Sequence, residues 1–436
     1  MTPNLRICFS AGLTALVLTF CFARADDIGL PDATDPVAGM GVNIHFTDAK
    51  PGELEMISQG GFHWVRTDLS WNQTEKHPGV YDFSAHDRLF ASLDKAHLRA
   101  ICVFAYTNPL YDDGKPTCSD AGRQAFAKWV VAAVTHFKGH GAIWEIWNEP
   151  NGEWFWKPKP NPDDYAKLAY TVASAVHDAA PHEILVGPAL ACGIPWPDPV
   201  KMRFLDTVFG AGVLKYWSAV TVHPYLWTGP ESYGSIYDAS RAEIAKYAAP
   251  GQNIALICGE SGHNTSTKAV LNSRENGSVD ENTQGEYLAR TFLFDVFKGI
   301  PLTVWYDWHD DSPSPTDSES NFGTVRYEYH SGPPRVYDPK PAYDAAKTYS
   351  TQLTGMRYVE RLETASPNDY LLSFTGPTGP CIVAWTADKN PHEVKIPRES
   401  DTYKVTSFDG KKQVQVQVPV GRLTLMLNGG PQYIKK

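Results

Sequence analysis

Two glutamates stand where apolar runs stop. In Trp144-Glu145-Ile146-Trp147-Asn148-Glu149-Pro150-Asn151 the alternation reads as a strand, and Pro150, with no N–H for a ladder, ends it. Glu149 therefore sits at the end of a buried strand, between Asn148 and a proline. In Ala255-Leu256-Ile257-Cys258-Gly259-Glu260-Ser261-Gly262 a second apolar run ends in a carboxylate. Either glutamate alone would as readily occupy a surface turn. Brought together, two such groups can divide acid and base work, one held protonated and the other ionised at the same pH.

The elements that must position them alternate strand and helix eight times. The strands are read at Gly41–Phe46, Phe62–Thr67, Ala100–Ala105, Ala142–Trp147, Glu183–Gly187, Ser218–His223, Asn253–Cys258 and Leu302–Trp305. The helices follow at Pro51–Gly60, Ser84–His97, Ser119–Phe137, Asp163–Ala180, Pro199–Phe209, Ser235–Ala248, Gln284–Phe297 and Lys340–Gln352. The class is α/β, and the size is that of a (β/α)8 TIM barrel, in which strand C-termini face the active site. An open doubly wound sheet is the alternative, but its G-x-G-x-x-G fingerprint is absent. On a barrel, Glu149 ends strand four and Glu260 ends strand seven.

Ile146-Trp147-Asn148-Glu149-Pro150-Asn151 resembles the acid/base segment of clan A retaining glycoside hydrolases, most closely family 39, with family 5 a near relative. The resemblance covers residues 40–355 as ordered motifs. It implies hydrolysis of O-glycosidic linkages, with β-linkages expected, in oligo- or polysaccharides by double displacement. Glu260 would attack the anomeric carbon and Glu149 would protonate the leaving oxygen. Arg66 matches the arginine beside the nucleophile, and His223-Pro224-Tyr225 resembles the His-x-Tyr whose tyrosine contacts it. Asn148 would bind the sugar 2-hydroxyl. Trp305 resembles the strand-eight tryptophan under the reacting sugar. Trp308, Trp154 and Trp156 are further stacking candidates, with Trp71, Trp227 and Tyr106 behind them. His45 and Asn43 are candidate contacts to sugar hydroxyls. Glu145 lies too deep for catalysis and reads as a structural partner. After Glu260 the chain departs from family 39, with Ser261-Gly262-His263 where an aromatic is expected. Two other readings use the same parts: a transglycosylase on the same glutamates, and a non-catalytic carbohydrate-binding barrel.

No cofactor is implied. The acidic run Asp307, His309, Asp310, Asp311 reads as an exposed loop rather than a metal site. The partner is a carbohydrate. Among 436 residues, 42 % are hydrophobic and 20 % charged, enough for a large core. A formal charge of −10 argues against nucleic acid. Arg6, the apolar run Ile7 to Phe22 and Ala23-Arg24-Ala25 read as a signal peptide over residues 1–25, so a secreted or periplasmic protein is expected, with no integral membrane span, monomeric or weakly oligomeric. Residues 26–355 are then the barrel and 356–436 a small β-sandwich, in which Val414, Val416 and Val418 alternate with polar residues and mark a buried face. Segment 26–38 is a candidate extra edge strand, and 312–322 a mobile loop. Of the five cysteines beyond residue 25, Cys102 and Cys258 read as buried hydrophobes, while Cys118 and Cys192 fall in loops and could pair.

Overall fold

A computed structural model describes residues 29–193, 197–267, 278–332, 335–418 and 421–436. The expected signal peptide lies outside these residues. Among them, no helix is long and apolar enough to cross a membrane.

Eight parallel strands close into a barrel: β1 (Met40–Asn43), β2 (Trp64–Ser70), β3 (Arg99–Ala105), β4 (Ile143–Ile146), β5 (Ile184–Cys192), β6 (Ala219–Pro224), β7 (Ala255–Ser261) and β8 (Thr303–Trp305). The helices that follow them are α1 (Glu53–Gln59), α2 (Ser84–Ala96), α3 (Asp120–His136), α4 (Pro162–Ala179), α5 (Pro199–Gly210), α6 (Gly234–Tyr247), α7 (Glu281–Phe297) and α8 (Pro341–Leu353). Their starts are written locally. Asn161, Asp198 and Asp280 accept backbone N–H groups at the mouths of α4, α5 and α7, with proline at the first turn of α4 and α5.

Strand parity sorts side chains into two layers. Trp64, Ile101, Ile143, Val186, Ala219, Ile257, Leu302 and Val304 pack inside the barrel. Val65, Cys102, Trp144, Leu185, Val220, Cys258 and Trp305 join the larger core between barrel and helices. Two bulges break the parity. Between Cys258 and Ser261, β7 carries one residue more than β8, and between Gly187 and Leu190, β5 carries one more than β6. Beyond the second bulge β5 stays paired with β6 as far as Cys192 opposite Pro224, well past its expected end at Gly187.

The C-terminal strands are β9 (Arg357–Arg361), β10 (Asp369–Thr375), β11 (Cys381–Thr386), β12 (His392–Pro397), β13 (Asp401–Ser407), β14 (Gln413–Val418), β15 (Arg422–Leu427) and β16 (Gln432–Lys435). They form a six-stranded sheet, β9-β10-β11-β16-β13-β14, faced by the pair β12-β15. Leu372, Phe374, Val383 and Trp385 pack into the core shared with the barrel helices, while Leu371, Ile382 and Ala384 face the sandwich interior. The alternation in β14 does not bury all three valines. Val418 is buried, but Val414 is 40 % exposed, because β14 is an edge strand beyond the cover of the second sheet. Segment 26–38 adds no strand among its described residues; Thr34 accepts one backbone hydrogen bond from Tyr358, and Arg357 pairs with Asp35. The 312–322 stretch contains a short turn of helix, Glu319–Asn321, that packs back on the barrel mouth. Cys118 and Cys192 do not pair: all five described cysteines are free thiols.

Candidate active site

Arg66 is the hub of the barrel mouth. It points inward from β2, is 3 % exposed, and donates to four side chains, among them the Asn43 oxygen, 3.3 Å from Nη1. Nε binds Glu145 at 2.8 Å, Nη1 binds Glu260 at 2.9 Å, and Nη2 binds the Asn148 oxygen at 2.8 Å. A guanidinium only donates, so Asn148 must turn its oxygen to Arg66, which leaves its NH2 group to donate elsewhere. Glu145 therefore takes the structural role expected of it.

Glu260 reaches this network because of the β7 bulge. Ile257 faces the barrel interior, so strict alternation would send residue 260 outward toward the helices. The extra residue at Gly259 re-aims it to the mouth. There Oε1 accepts the Tyr225 hydroxyl at 2.6 Å, opposite the Arg66 bond on Oε2. Burial pushes this carboxyl up, but the charges of His223 and Arg66 and the Tyr225 hydrogen bond outweigh it and hold its pKa below the ordinary value.

Glu149 lies just past β4, with φ of +44° in the left-handed region, and Trp147 two residues earlier is at +67°. Its N–H donates at 3.1 Å to the carbonyl of Ala189, which the β5 bulge presents. Oε1 lies 2.9 Å from His223 Nδ1, and the same nitrogen is 3.6 Å from Glu260 Oε2. The two glutamate oxygens thus stand no farther apart than those distances taken together, about 6.5 Å. His223 is fully buried, and its Nε2 has no hydrogen-bond partner among the described residues.

A cleft of about 370 Å3 opens over Glu260, and Glu149, His223 and Tyr225 are not among its lining residues. Asn43, His45, Arg66, Asn148 and Glu260 line it. Asp68, Gln73, Tyr106, Phe155, Tyr306 and Glu319 line it as well. Trp305 and Trp308 do not. Trp305 is 0 % exposed because its parity turns it outward into the core under the helices, and the inward position falls to Tyr306. Trp308 is buried against Tyr337 and Tyr343, with its N–H on Glu53 at 3.1 Å. Trp156 and Trp71 are buried too. Trp154 is 84 % exposed at the rim. Counting parity inward along β2 and β8 would have found Asp68 and Tyr306; nothing in the sequence marks Glu319, which arrives on a loop.

At the Tyr306 end the cleft is acidic. Tyr306 donates to Glu319 at 3.1 Å and meets the His45 ring edge-on. His45 Nε2 is 3.4 Å from Asp307. Burial pushes His45 down, but Asp307, Asp311 and Asp68 raise it to about 9, while burial raises Asp307 to about 7. His45, Asp307 and Asp311 each bring one ligand atom within 4.8 Å of the others, a spacing that could hold a cation. Asp310 is committed elsewhere, to Lys340 at 3.0 Å.

No protein-family profile matches the chain. A β-xylosidase of Geobacillus stearothermophilus is 31 % identical over 128 residues, 26 % of this chain and 25 % of that protein, so the match spans about a quarter of the relative's length. A family 39 glycoside hydrolase from Bacteroides cellulosilyticus superposes with a TM-score of 0.74 at 22 % identity, over 93 % of this chain and 82 % of that one. A family 39 β-xylosidase from Caulobacter crescentus gives 0.65 at 16 %, over 93 % and 97 %. A family 30 endoxylanase from Clostridium papyrosolvens gives 0.60 at 13 %, over the same shares. At these identities the likeness is one of architecture, and it runs through the barrel and the C-terminal sheets alike: this chain has the fold shared by family 39 and family 30 glycoside hydrolases.

Proposed function

We propose that the protein is a retaining glycoside hydrolase acting on β-linked oligo- or polysaccharides. The observation that carries the reading is the shared His223 nitrogen, which brackets the two glutamates within about 6.5 Å. Retaining enzymes hold the pair about 5–5.5 Å apart, and inverting enzymes about 6.5–9.5 Å to admit a water. Glu260, kept ionised beside Arg66, attacks the anomeric carbon. Glu149, on the opposite rim, gives its proton to the leaving oxygen and then takes one from water. Asn148 offers its NH2 group to the 2-hydroxyl, a contact that tightens as positive charge develops on the sugar. The relatives' activities, β-xylosidase and endoxylanase, favour xylose-containing substrates. The segment at residues 1–25 supports export from the cytoplasm, and the C-terminal sheets are read as packing support for the barrel.

The test is hydrolysis of a panel of β-linked oligosaccharides, with the anomer of the first product followed by NMR. Retention of configuration is expected. Glu149→Gln should lower turnover by about 10²–10⁴-fold, and Glu260→Gln should abolish it while binding survives. An inverted first product overturns the mechanism. Binding without turnover in the wild type supports the carbohydrate-binding alternative.

A further inference from the structure

The second cavity at the barrel mouth adjoins the first through two shared residues. Tyr106 and Phe155 line both, and beyond them Thr107, Gly114, Lys115, Pro116, Trp154, Lys157 and Pro158 enclose about 550 Å3. Every wall comes from the segments after β3 and β4. The second of these is the segment that carries Glu149, the proton donor of the hydrolase reading.

Its aromatic floor is held in place. Tyr106 and Phe155 stack at 5.7 Å with 20° between planes. Trp147 anchors the loop by an N–H bond to the Phe155 carbonyl at 3.2 Å, and the buried Trp156 packs on Trp147. Trp154 is thus presented to solvent by a fixed turn, at 84 % exposure the most open large hydrophobic side chain among the described residues. An aromatic face so displayed stacks on the apolar face of a sugar.

The charge of this end is opposite to that of the other. Asp68, Glu319, Asp307 and Asp311 gather at the far end, whereas Lys115 and Lys157 are the charged residues that line this one. Among the described residues neither lysine is held in an ion pair. In a chain of net charge −10, two unpaired ammonium groups over an aromatic floor select for a carboxylate.

We infer that the leaving-group side of the cleft is a subsite for an acidic sugar, a uronic acid residue whose ring lies on Trp154 and Phe155 and whose carboxylate meets Lys115 and Lys157. The inference rests on the hydrolase reading, in which the segment after β4 brings the proton donor and so borders the leaving group. The experiment compares initial rates on neutral xylo-oligosaccharides with the same chains bearing glucuronic acid toward the reducing end. Wild type, Lys115→Gln/Lys157→Gln and Trp154→Ala are measured at low and high salt. The acidic substrate is expected to have the lower KM, and the double variant to raise that KM by roughly 3- to 10-fold while leaving the neutral substrate unchanged. Added salt should mimic the double variant, and Trp154→Ala should weaken both substrates. Equal KM values for the two substrates in the wild type, or an equal loss on both in the double variant, overturn the subsite. Turnover of neither substrate counts against the hydrolase reading. The subsite is then judged by calorimetric binding of the two oligosaccharides, where weaker binding of the acidic one alone in the double variant sustains it and unchanged binding ends it.

Discussion

Glu260 shows how one residue's charge is set by neighbours of different kinds. Burial favours the neutral acid, while the Arg66 guanidinium and the Tyr225 hydroxyl favour the anion, each on its own oxygen. The balance lies with the anion, which suits a nucleophile needed ionised. Tyr225→Phe removes one hydroxyl and keeps the ring against Phe322. The carboxylate loses a hydrogen bond of the charge-assisted kind, about 1.5–3 kcal/mol, so kcat/KM should fall by roughly 10- to 100-fold. With that bond gone, the Glu260 pKa rises, and the acid limb of the pH–rate profile should move to higher pH. A fall in rate with an unmoved acid limb would mean that Tyr225 positions substrate and leaves the nucleophile's charge alone.

At the scale of elements, periodicity was legible and its interruptions were not. The eight strand–helix units stand in the sequence because apolar residues recur at periods of 2 and 3.6. The same parity assigns Arg66 and Asp68 to the mouth, and read strictly it would have turned Trp305 away from the cleft and Tyr306 toward it. The bulges at Gly259 and at Pro188-Ala189 leave no composition cue beyond a glycine and a proline, yet they aim Glu260 and supply the carbonyl that holds Glu149. Loops such as the one bearing Glu319 are placed by tertiary contacts that no local pattern records. The joint between α7 and β8 is a further case, because nothing local marks Asp295 as buried. Its oxygens accept the hydroxyls of Tyr237 on α6 and Thr303 on β8 at 2.8 and 2.7 Å. Burial raises its pKa to about 7, against the pull of those bonds. A carboxyl whose folded pKa lies above its unfolded value of about 3.9 contributes full stability below that value. The contribution is lost as pH rises through about 7 and stays level beyond. Asp295→Asn keeps an acceptor and loses the titration, so thermal melts should show the wild type losing stability between pH 4 and 7 relative to the variant. Parallel pH profiles for the two proteins would refute the assignment.

At the scale of the molecule, the barrel and the C-terminal sheets share one core and one polar bolt. The bolt is Glu231, on the turn after β6. It accepts Arg290 Nε from α7 at 2.8 Å and the Trp385 indole N–H from β11 at 2.7 Å, so one carboxylate ties three segments. Arg290 and Glu231 are nearly buried, with side-chain exposures of 6 % and 10 %. Removing one partner of such a pair leaves a desolvated charge, at a cost of about 3–5 kcal/mol, whereas removing both can be nearly neutral. Arg290→Met should therefore lower Tm by roughly 3–6 °C for a chain of this size. Adding Glu231→Gln should restore much of that loss. Trp385 also buries its ring in the shared core, stacked on Tyr370 at 4.8 Å. The sheets should therefore melt with the barrel in the wild type, in one calorimetric transition. If Arg290→Met splits that transition in two, the carboxylate is what couples the two cores. If it lowers Tm within a single transition, the coupling lies in the apolar contacts of β10 and β11, and the ion pair only spares the interior an unpaired charge.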